Sequence, residues 1–296
     1  MTPDWRRIAA DVGSRTGLRL RPDAVRPVSG GCINSGWRVA SDAGEVFVKT
    51  NAKASLAMFE AEHEGLRALA VAEALRVPQA LATGVSGSLA WIAMEWIETG
   101  RSGTATGRAL GEGLAKQHRY LAERFGWHRD NTIGSTPQPN GWRADWVGFF
   151  ADMRIRHQLE LAARGGCPRR LIDAGERLLD QIGVFFTDYT PDASLLHGDL
   201  WGGNWAADSD GRPFVYDPAV YYGDREADMA MTELFGGFDA GFYAAYQAEW
   251  PMDPGYGTRK DLYNLYHVLN HVNLFGAGYL GQAQALIARL LAAAAG

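Results

Sequence analysis

The sequence predicts an α+β protein in two parts, a small antiparallel β-sheet lobe carrying one helix and a larger, mainly helical lobe. Three observations carry this reading. The first hundred residues break into short β-rich runs separated by glycine. Beyond them, apolar residues recur at helical spacing nearly to the end of the chain. Two short apolar runs, Ser194-Leu195-Leu196 and Phe214-Val215-Tyr216, interrupt the helical part, each leading into an acidic residue or a His-x-Asp. The length of 296 residues suits two units at roughly 150 residues each, and the expected division is 1–98 and 99–296.

Within the first part, Trp37 to Ala40 and Glu45 to Lys49 are strand-like, and Ser41-Asp42-Ala43-Gly44 between them has hairpin-turn chemistry. The period of two puts Val46 and Val48 on one face and Phe47 and Lys49 on the other. Ser55 is placed to cap a helix bearing Leu56, Phe59, His63, Leu66 and Leu69. A further strand, Ala90 to Met94, runs into Glu95-Trp96-Ile97-Glu98, and Thr99 to Gly103 reads as a linker. In the second part, Leu110, Leu114, His118, Leu121 and Phe125 form one helical stripe; Leu171, Leu178, Ile182 and Phe185 form another. Phe238 to Ala295 is helix-compatible almost throughout.

Composition removes several classes. A net charge of −5 argues against nucleic acid as the main partner. Two cysteines, Cys32 and Cys167, cannot build a disulfide framework and fit a reducing compartment. The N-terminal stretch has no apolar run of the signal-peptide kind. The longest segment free of Asp, Glu, Lys and Arg, Leu262 to Ala288, contains three asparagines and two histidines, so it reads as packed helix and not as a membrane span. A cytoplasmic protein without nucleic-acid or membrane partners is expected.

Some motifs mislead. Gly276-Ala-Gly278-Tyr-Leu-Gly281 matches a dinucleotide fingerprint in letters alone, because no following strand or ribose-binding acid exists; close helix packing is its expected role. There is no Gly-Lys pair for a Walker loop, Gly84-Val-Ser86-Gly-Ser88 lacks the last glycine of a nucleophile elbow, and no Cys/His spacing suits zinc.

The strongest signal is Leu195-Leu-His197-Gly-Asp199-Leu-Trp-Gly-Gly-Asn204 followed by Phe214-Val-Tyr-Asp217. An aspartate able to take a hydroxyl proton, with an asparagine and a second aspartate as hard-oxygen Mg²⁺ ligands, is the polar set that phosphoryl transfer from ATP requires. A lone His-x-Asp would read as a structural turn; the spaced Asn204 and the strand-borne Asp217 turn the balance. Upstream, Val28-Ser-Gly30-Gly31-Cys32-Ile33-Asn-Ser-Gly36 is a glycine-rich turn able to bring backbone N–H groups near phosphates. Lys49, one of only four lysines, closes the next strand where a phosphate-binding lysine is needed. Glu60, Glu62 and Glu64 are candidates for its partner. The expected architecture is therefore bilobal and protein-kinase-like, with ATP in the cleft.

These residues resemble the fructosamine/ketosamine kinases, relatives of the aminoglycoside and choline phosphotransferases in the protein-kinase-like superfamily. The resemblance extends through Met58-Phe59-Glu60-Ala-Glu62 and Asp217-Pro218-Ala219-Val-Tyr-Tyr222-Gly223-Asp-Arg225-Glu226-Ala-Asp228. It continues in Leu265-Tyr-His267-Val-Leu-Asn270-His271-Val-Asn-Leu-Phe275-Gly-Ala-Gly-Tyr279. Gly202 departs from it, where serine is expected. The resemblance implies ATP- and Mg²⁺-dependent phosphorylation of the third-carbon hydroxyl of a ketosamine such as a fructosyl- or ribulosyl-amine, a step linked to deglycation.

It further implies Asp199 as catalytic base, Asn204 and Asp217 as metal ligands, and Lys49 with Glu62 as the phosphate lysine and its orienter. Gly30, Gly31, Cys32 and Ile33 would line the phosphates, and Met94, Glu95, Trp96 and Ile97 would receive adenine through backbone groups. Trp201, Tyr222, Arg225 and Glu226 would lie on the substrate side, while His197 and Asp228 hold the catalytic loop. Cys32 is either a small apolar filler or a redox-sensitive thiol joining two otherwise monomeric chains. An aminoglycoside, choline or homoserine kinase is the alternative, with a non-catalytic pseudokinase behind it. A protein kinase is disfavoured, since no Ala-Pro-Glu follows Asp217 and no Ser or Thr lies between Asp217 and Met231.

Overall fold

The computed structural model describes residues 3–29 and 33–295, so Gly30, Gly31 and Cys32 lie outside the described residues. The chain opens with helix α1 (Trp5–Thr16), then strands β1 (Leu20–Val28), β2 (Ser35–Ser41) and β3 (Gly44–Ala52), helix α2 (Leu56–Val71), and strands β4 (Ala80–Ser86) and β5 (Leu89–Glu95). The five strands form one antiparallel sheet in the order β1-β2-β3-β5-β4. The β2–β3 hairpin closes at Ser41↔Gly44, across the turn its sequence specifies.

Helix α1 is the second helix of this lobe, where one was expected. Asp4 caps it through the Arg7 N–H at 3.2 Å, and Gly17 ends it in the left-handed region. With only Ile8 and Val12 buried, its apolar stripe is too thin to stand out from the surrounding polar residues. Those two side chains cover the Val46/Val48 face of the sheet together with Val39, Trp91 and Ala93. The opposite face packs Ile92 and Met94 against Phe59, Leu66 and Leu69 of α2, so the alternation within β3 sends Lys49 toward the second lobe. Ser55 precedes α2 but its side chain makes no capping bond.

After a linker, helix α3 (Thr104–His118) leads to β6 (Leu121–Ala122), the hairpin β7 (Asn131–Ile133) and β8 (Thr136–Gln138), and helices α4 (Trp146–Phe150), α5 (His157–Arg164) and α6 (Arg169–Leu179). The first stripe thus stops at His118, and Leu121 is exposed on a short strand. Next come β9 (Ala193–Leu196), β10 (Trp205–Ala207), β11 (Pro213–Val215), β12 (Tyr221–Gly223), and helices α7 (Glu226–Leu234), α8 (Ala240–Glu249), α9 (Tyr256–Phe275) and α10 (Leu280–Ala294). A large core of Trp146, Phe149, Phe150, Leu196, Tyr263, Leu265 and Leu269 holds α4, β9 and α9 together.

No helix of the described residues is long and apolar enough to cross a membrane. The glycines of 276–281 form the break between α9 and α10. Gly276 has φ +81°, and a Cβ built at Gly278 or Gly281 would meet nothing within 4 Å, so a turn replaces the close packing expected there.

Burial sets a pH limit on this fold. His267, on α9, is buried with its Nδ1 lacking a hydrogen-bond partner. Burial, reinforced by His271, pushes its pKa down to about 3, and burial also lowers His63, His197 and His271. The unfolded chain therefore takes up protons between about pH 6.5 and 3 that the folded chain refuses. Stability falls as pH drops through that window, by about 1.4 kcal/mol per unit for each excluded proton. Urea unfolding at pH 7, 6 and 5 should show this slope, and His267→Asn should flatten it by up to one proton; an unchanged slope in the variant would refute the assignment.

Candidate active site

Strand β9, buried along its whole length, delivers His197-Gly198-Asp199 to the cleft. The loop that follows is fixed from beneath. Asp228, on α7, accepts the N–H of His197 at 2.7 Å and of Gly198 at 2.8 Å, and contacts His118 Nε2 at 3.1 Å. Gly198 has φ +82°, and a Cβ there would lie 2.1 Å from the Ala219 carbonyl oxygen, so only glycine fits this crossing. The His197 Nε2 lies 3.0 Å from the Tyr216 carbonyl, while its Nδ1 faces the Asp199 N–H at 3.3 Å, which fixes the neutral tautomer with the proton on Nε2. The Ala219 N–H donates back to the His197 carbonyl at 2.8 Å. The two segments, 197–204 and 216–219, are stitched into one unit.

Within that unit Asn204 Nδ2 donates to the Asp199 carbonyl at 2.8 Å, to Asp199 Oδ2 at 3.2 Å and to the Asp217 carbonyl at 3.5 Å. The amide N is spent inside the loop, leaving the Oδ1 lone pairs to face a cation. Asp217 adopts φ +57°, a left-handed conformation uncommon for a non-glycine residue and tolerated by aspartate. Its carboxylate is 40% exposed and bonds Lys49. Two hard oxygen donors on adjoining segments are the donor chemistry Mg²⁺ takes.

Lys49 Nζ also meets Glu62 Oε1 at 2.6 Å, so among the three glutamates considered Glu62 is the one that pairs. Burial works against the ammonium, but Asp217 and Glu62 outweigh it and hold Lys49 protonated above its usual range. Asp199 moves the other way. Burial, then the neighbouring Asp217, pushes its carboxyl up to about 7 despite the bond from Asn204. A carboxylate near that value is poised to accept a proton at neutral pH.

At the junction of the lobes the β3–β5 ladder ends at Val46↔Glu95. Met94 and Ile97 are buried; the Glu95 carboxylate is taken up by Arg76 at 2.8 Å and the Gln79 N–H, and Arg38 lies over the Trp96 ring. Side chains here are engaged in packing and ion pairing, and the Glu95 N–H donates to the Gln79 carbonyl at 2.9 Å. Ile33 is held through its carbonyl by Asn51 at 3.1 Å.

Not every expected substrate-side residue reaches the cleft. Trp201 does protrude, 40% exposed, its ring folded over Gly203. Tyr222 is half-buried between Trp127 and Trp142, with centroids at 5.6 and 6.1 Å. Arg225 and Glu226 are buried instead. Arg225 donates to the Pro251 carbonyl at 2.6 Å and stacks on Trp250, and Glu226 forms a two-bond ion pair with Arg259 at 2.7 and 3.0 Å. Both tie α7 to α8 and α9, and the resemblance alone could not separate such scaffold residues from contact residues. His118 was the opposite case. It sits in an apolar stripe, yet it bonds Asp228 and the Tyr246 hydroxyl.

Comparison with known proteins bears on this geometry. The fructosamine kinase family profile matches residues 4–293. The chain belongs to the fructosamine kinase family. Among curated relatives of this kinase, a probable ketoamine kinase of Synechocystis is 44% identical over 290 residues, covering 97% of each chain. A chloroplastic protein-ribulosamine 3-kinase of Oryza sativa subsp. indica is 43% identical over 276 residues, covering 92% of this chain and 80% of the other. A solved protein from Haemophilus somnus, given the provisional name fructosamine-3-kinase, superposes with a TM-score of 0.87 at 29% identity over 97% of each chain.

Proposed function

We propose that this kinase transfers the γ-phosphoryl group of ATP to the third-carbon hydroxyl of a ketosamine, a fructosyl- or ribulosyl-amine, as a step in deglycation in the cytoplasm. The observation that carries the reading is the convergence of Lys49, Glu62, Asn204, Asp217 and Asp199 on one cleft in a chain whose relatives are named for ketoamines and ribulosamines.

The chemistry follows from the positions. Lys49, oriented by Glu62, binds the α- and β-phosphates, Gly30, Gly31, Cys32 and Ile33 are the further candidates for phosphate contact from the sequence, and the 94–97 backbone holds adenine. Asn204 Oδ1 and the Asp217 carboxylate are the groups that would hold Mg²⁺, which when bound neutralises charge on the phosphates. Asp199 orients the sugar hydroxyl and takes its proton as the oxygen attacks phosphorus. The bond from phosphorus to the bridging oxygen breaks, and ADP departs. Residues 1–98 and 99–296 form the two sides of the cleft, and Trp201 lies at its acceptor side.

The test is an ATP-consumption screen with Mg²⁺ over fructosyl-lysine, ribulosyl-lysine, an aminoglycoside, choline and homoserine, with phosphorus NMR placing the new ester. Turnover confined to the ketosamines, with phosphate on the third carbon, is expected. Preference for an aminoglycoside, choline or homoserine would overturn the substrate assignment, and no turnover with any acceptor would overturn the catalytic one.

A further inference from the structure

The machinery above places the Lys49–Glu62 pair at the phosphates but leaves open what holds α2, the helix that carries Glu62, at the right height. Glu62 points inward. Along the neighbouring edge of α2, the Ala57 carbonyl, Glu60 and Glu64 occupy successive turns, three and four residues apart. One side chain of the second lobe reaches all three: Arg129 donates to Glu64 Oε1 at 2.6 Å and to the Ala57 carbonyl at 3.4 Å, and lies 3.7 Å from Glu60. His128 Nε2 meets the other Glu64 oxygen at 2.8 Å.

Arg129 stands on a rigid base. The Arg129 carbonyl accepts from Asn140, whose side-chain oxygen is held in turn by the fully buried Arg154 at 2.7 Å. The same insert grips the catalytic segment, because Asn131 donates to the Val220 carbonyl at 2.8 Å and Gln138 to the Ala219 carbonyl at 3.2 Å. Helix α2 also lies directly on that segment: a Cβ at Gly65 would come within 3.1 Å of Val220 and 3.4 Å of Pro218. Residues 129–140 thus touch both the helix bearing Glu62 and the segment leaving Asp217, and Glu62 and Asp217 are the two partners of Lys49.

We propose that Arg129 is a positioning residue that clamps α2 to the Asp217 segment, so that the Lys49–Glu62 pair is assembled within the chain without an activating partner. Its ion pairs are partly exposed, so the clamp acts by fixing a position and not by adding much stability. The inference rests on the reading of Lys49 as the phosphate lysine.

The experiment measures binding of a fluorescent ATP analogue and amine-reagent labelling of Lys49 in Arg129→Ala, Arg129→Lys and Glu64→Ala. Arg129→Ala and Glu64→Ala should weaken nucleotide binding about three- to tenfold and speed Lys49 labelling. Their KM for ATP should rise while that for the acceptor stays constant. Arg129→Lys should recover most of the loss. Unchanged nucleotide binding and Lys49 labelling in folded Arg129→Ala, or equal loss in the alanine and lysine variants, would overturn the clamp. Because binding and labelling need no acceptor, a wrong ketosamine assignment would leave both readouts intact and is distinguished from failure of the clamp.

Discussion

Replacing Asp199 with asparagine is expected to lower kcat by about 10²- to 10⁴-fold, the usual contribution of a positioned base, while leaving ATP binding largely intact. The barrier rises by roughly 3–5 kcal/mol. Asparagine has the same shape and can still accept the bond from Asn204 Nδ2 that now reaches Asp199 Oδ2 at 3.2 Å. What disappears is the capacity to take a proton. The stability readout separates this from damage to the loop. Burial and Asp217 raise the Asp199 pKa to about 7, which means the folded state holds the ionised form at a cost. A neutral amide removes that cost above pH 7, so the thermal midpoint should hold or rise as the rate collapses. Single-turnover kinetics and a melting curve on one preparation decide it. Full activity in Asp199→Asn would remove the base from the mechanism, and lost activity with a lowered midpoint would make its role structural.

The polar site was legible because its residues are close in sequence and constrained in type. His197, Asp199, Asn204 and Asp217 fall within 21 residues, and phosphoryl transfer admits few alternatives at such spacing. The choice of Glu62 over Glu60 and Glu64 was not available from spacing alone. It came from the resemblance, and the structure pairs Glu62 with Lys49 while Glu60 and Glu64 both face Arg129. The sheet was legible through alternation, since Val46 and Val48 really do face away from Lys49.

Elsewhere tertiary context decided. Helix α1 buries only two side chains, so periodicity was too weak to announce it. Arg225 and Glu226 sit in the motif that carries the resemblance, but as buried ion-pair and carbonyl-binding groups. The clamp of Arg129 depends on Asn131, Gln138, Asn140 and Arg154, polar residues whose partners lie up to 128 positions away. No local pattern encodes such pairings.

Asp228 makes the second large prediction, opposite in kind to the first. Burial acts to raise its pKa, but the bonds from His118 and from the loop backbone prevail and hold it below the usual carboxylate range. Its stabilisation is therefore present above the unfolded value near 3.9 and is lost as pH falls through the depressed folded value. Asp228→Ala leaves the His197 and Gly198 N–H groups and the His118 ring without their acceptor inside the protein. Breaking a buried charged network by removing one member costs about 3–5 kcal/mol, which for a chain of this size lowers the thermal midpoint by about 10 °C. Asp228→Asn keeps one acceptor and should lie between. Activity should fall in step with the folded fraction and with the loosened 197–199 loop, and nucleotide affinity should fall with it, unlike in Asp199→Asn. A midpoint within about 2 °C of the parent would mean that the loop holds its shape without Asp228, and that its stitching to the Asp217 segment through His197 is enough.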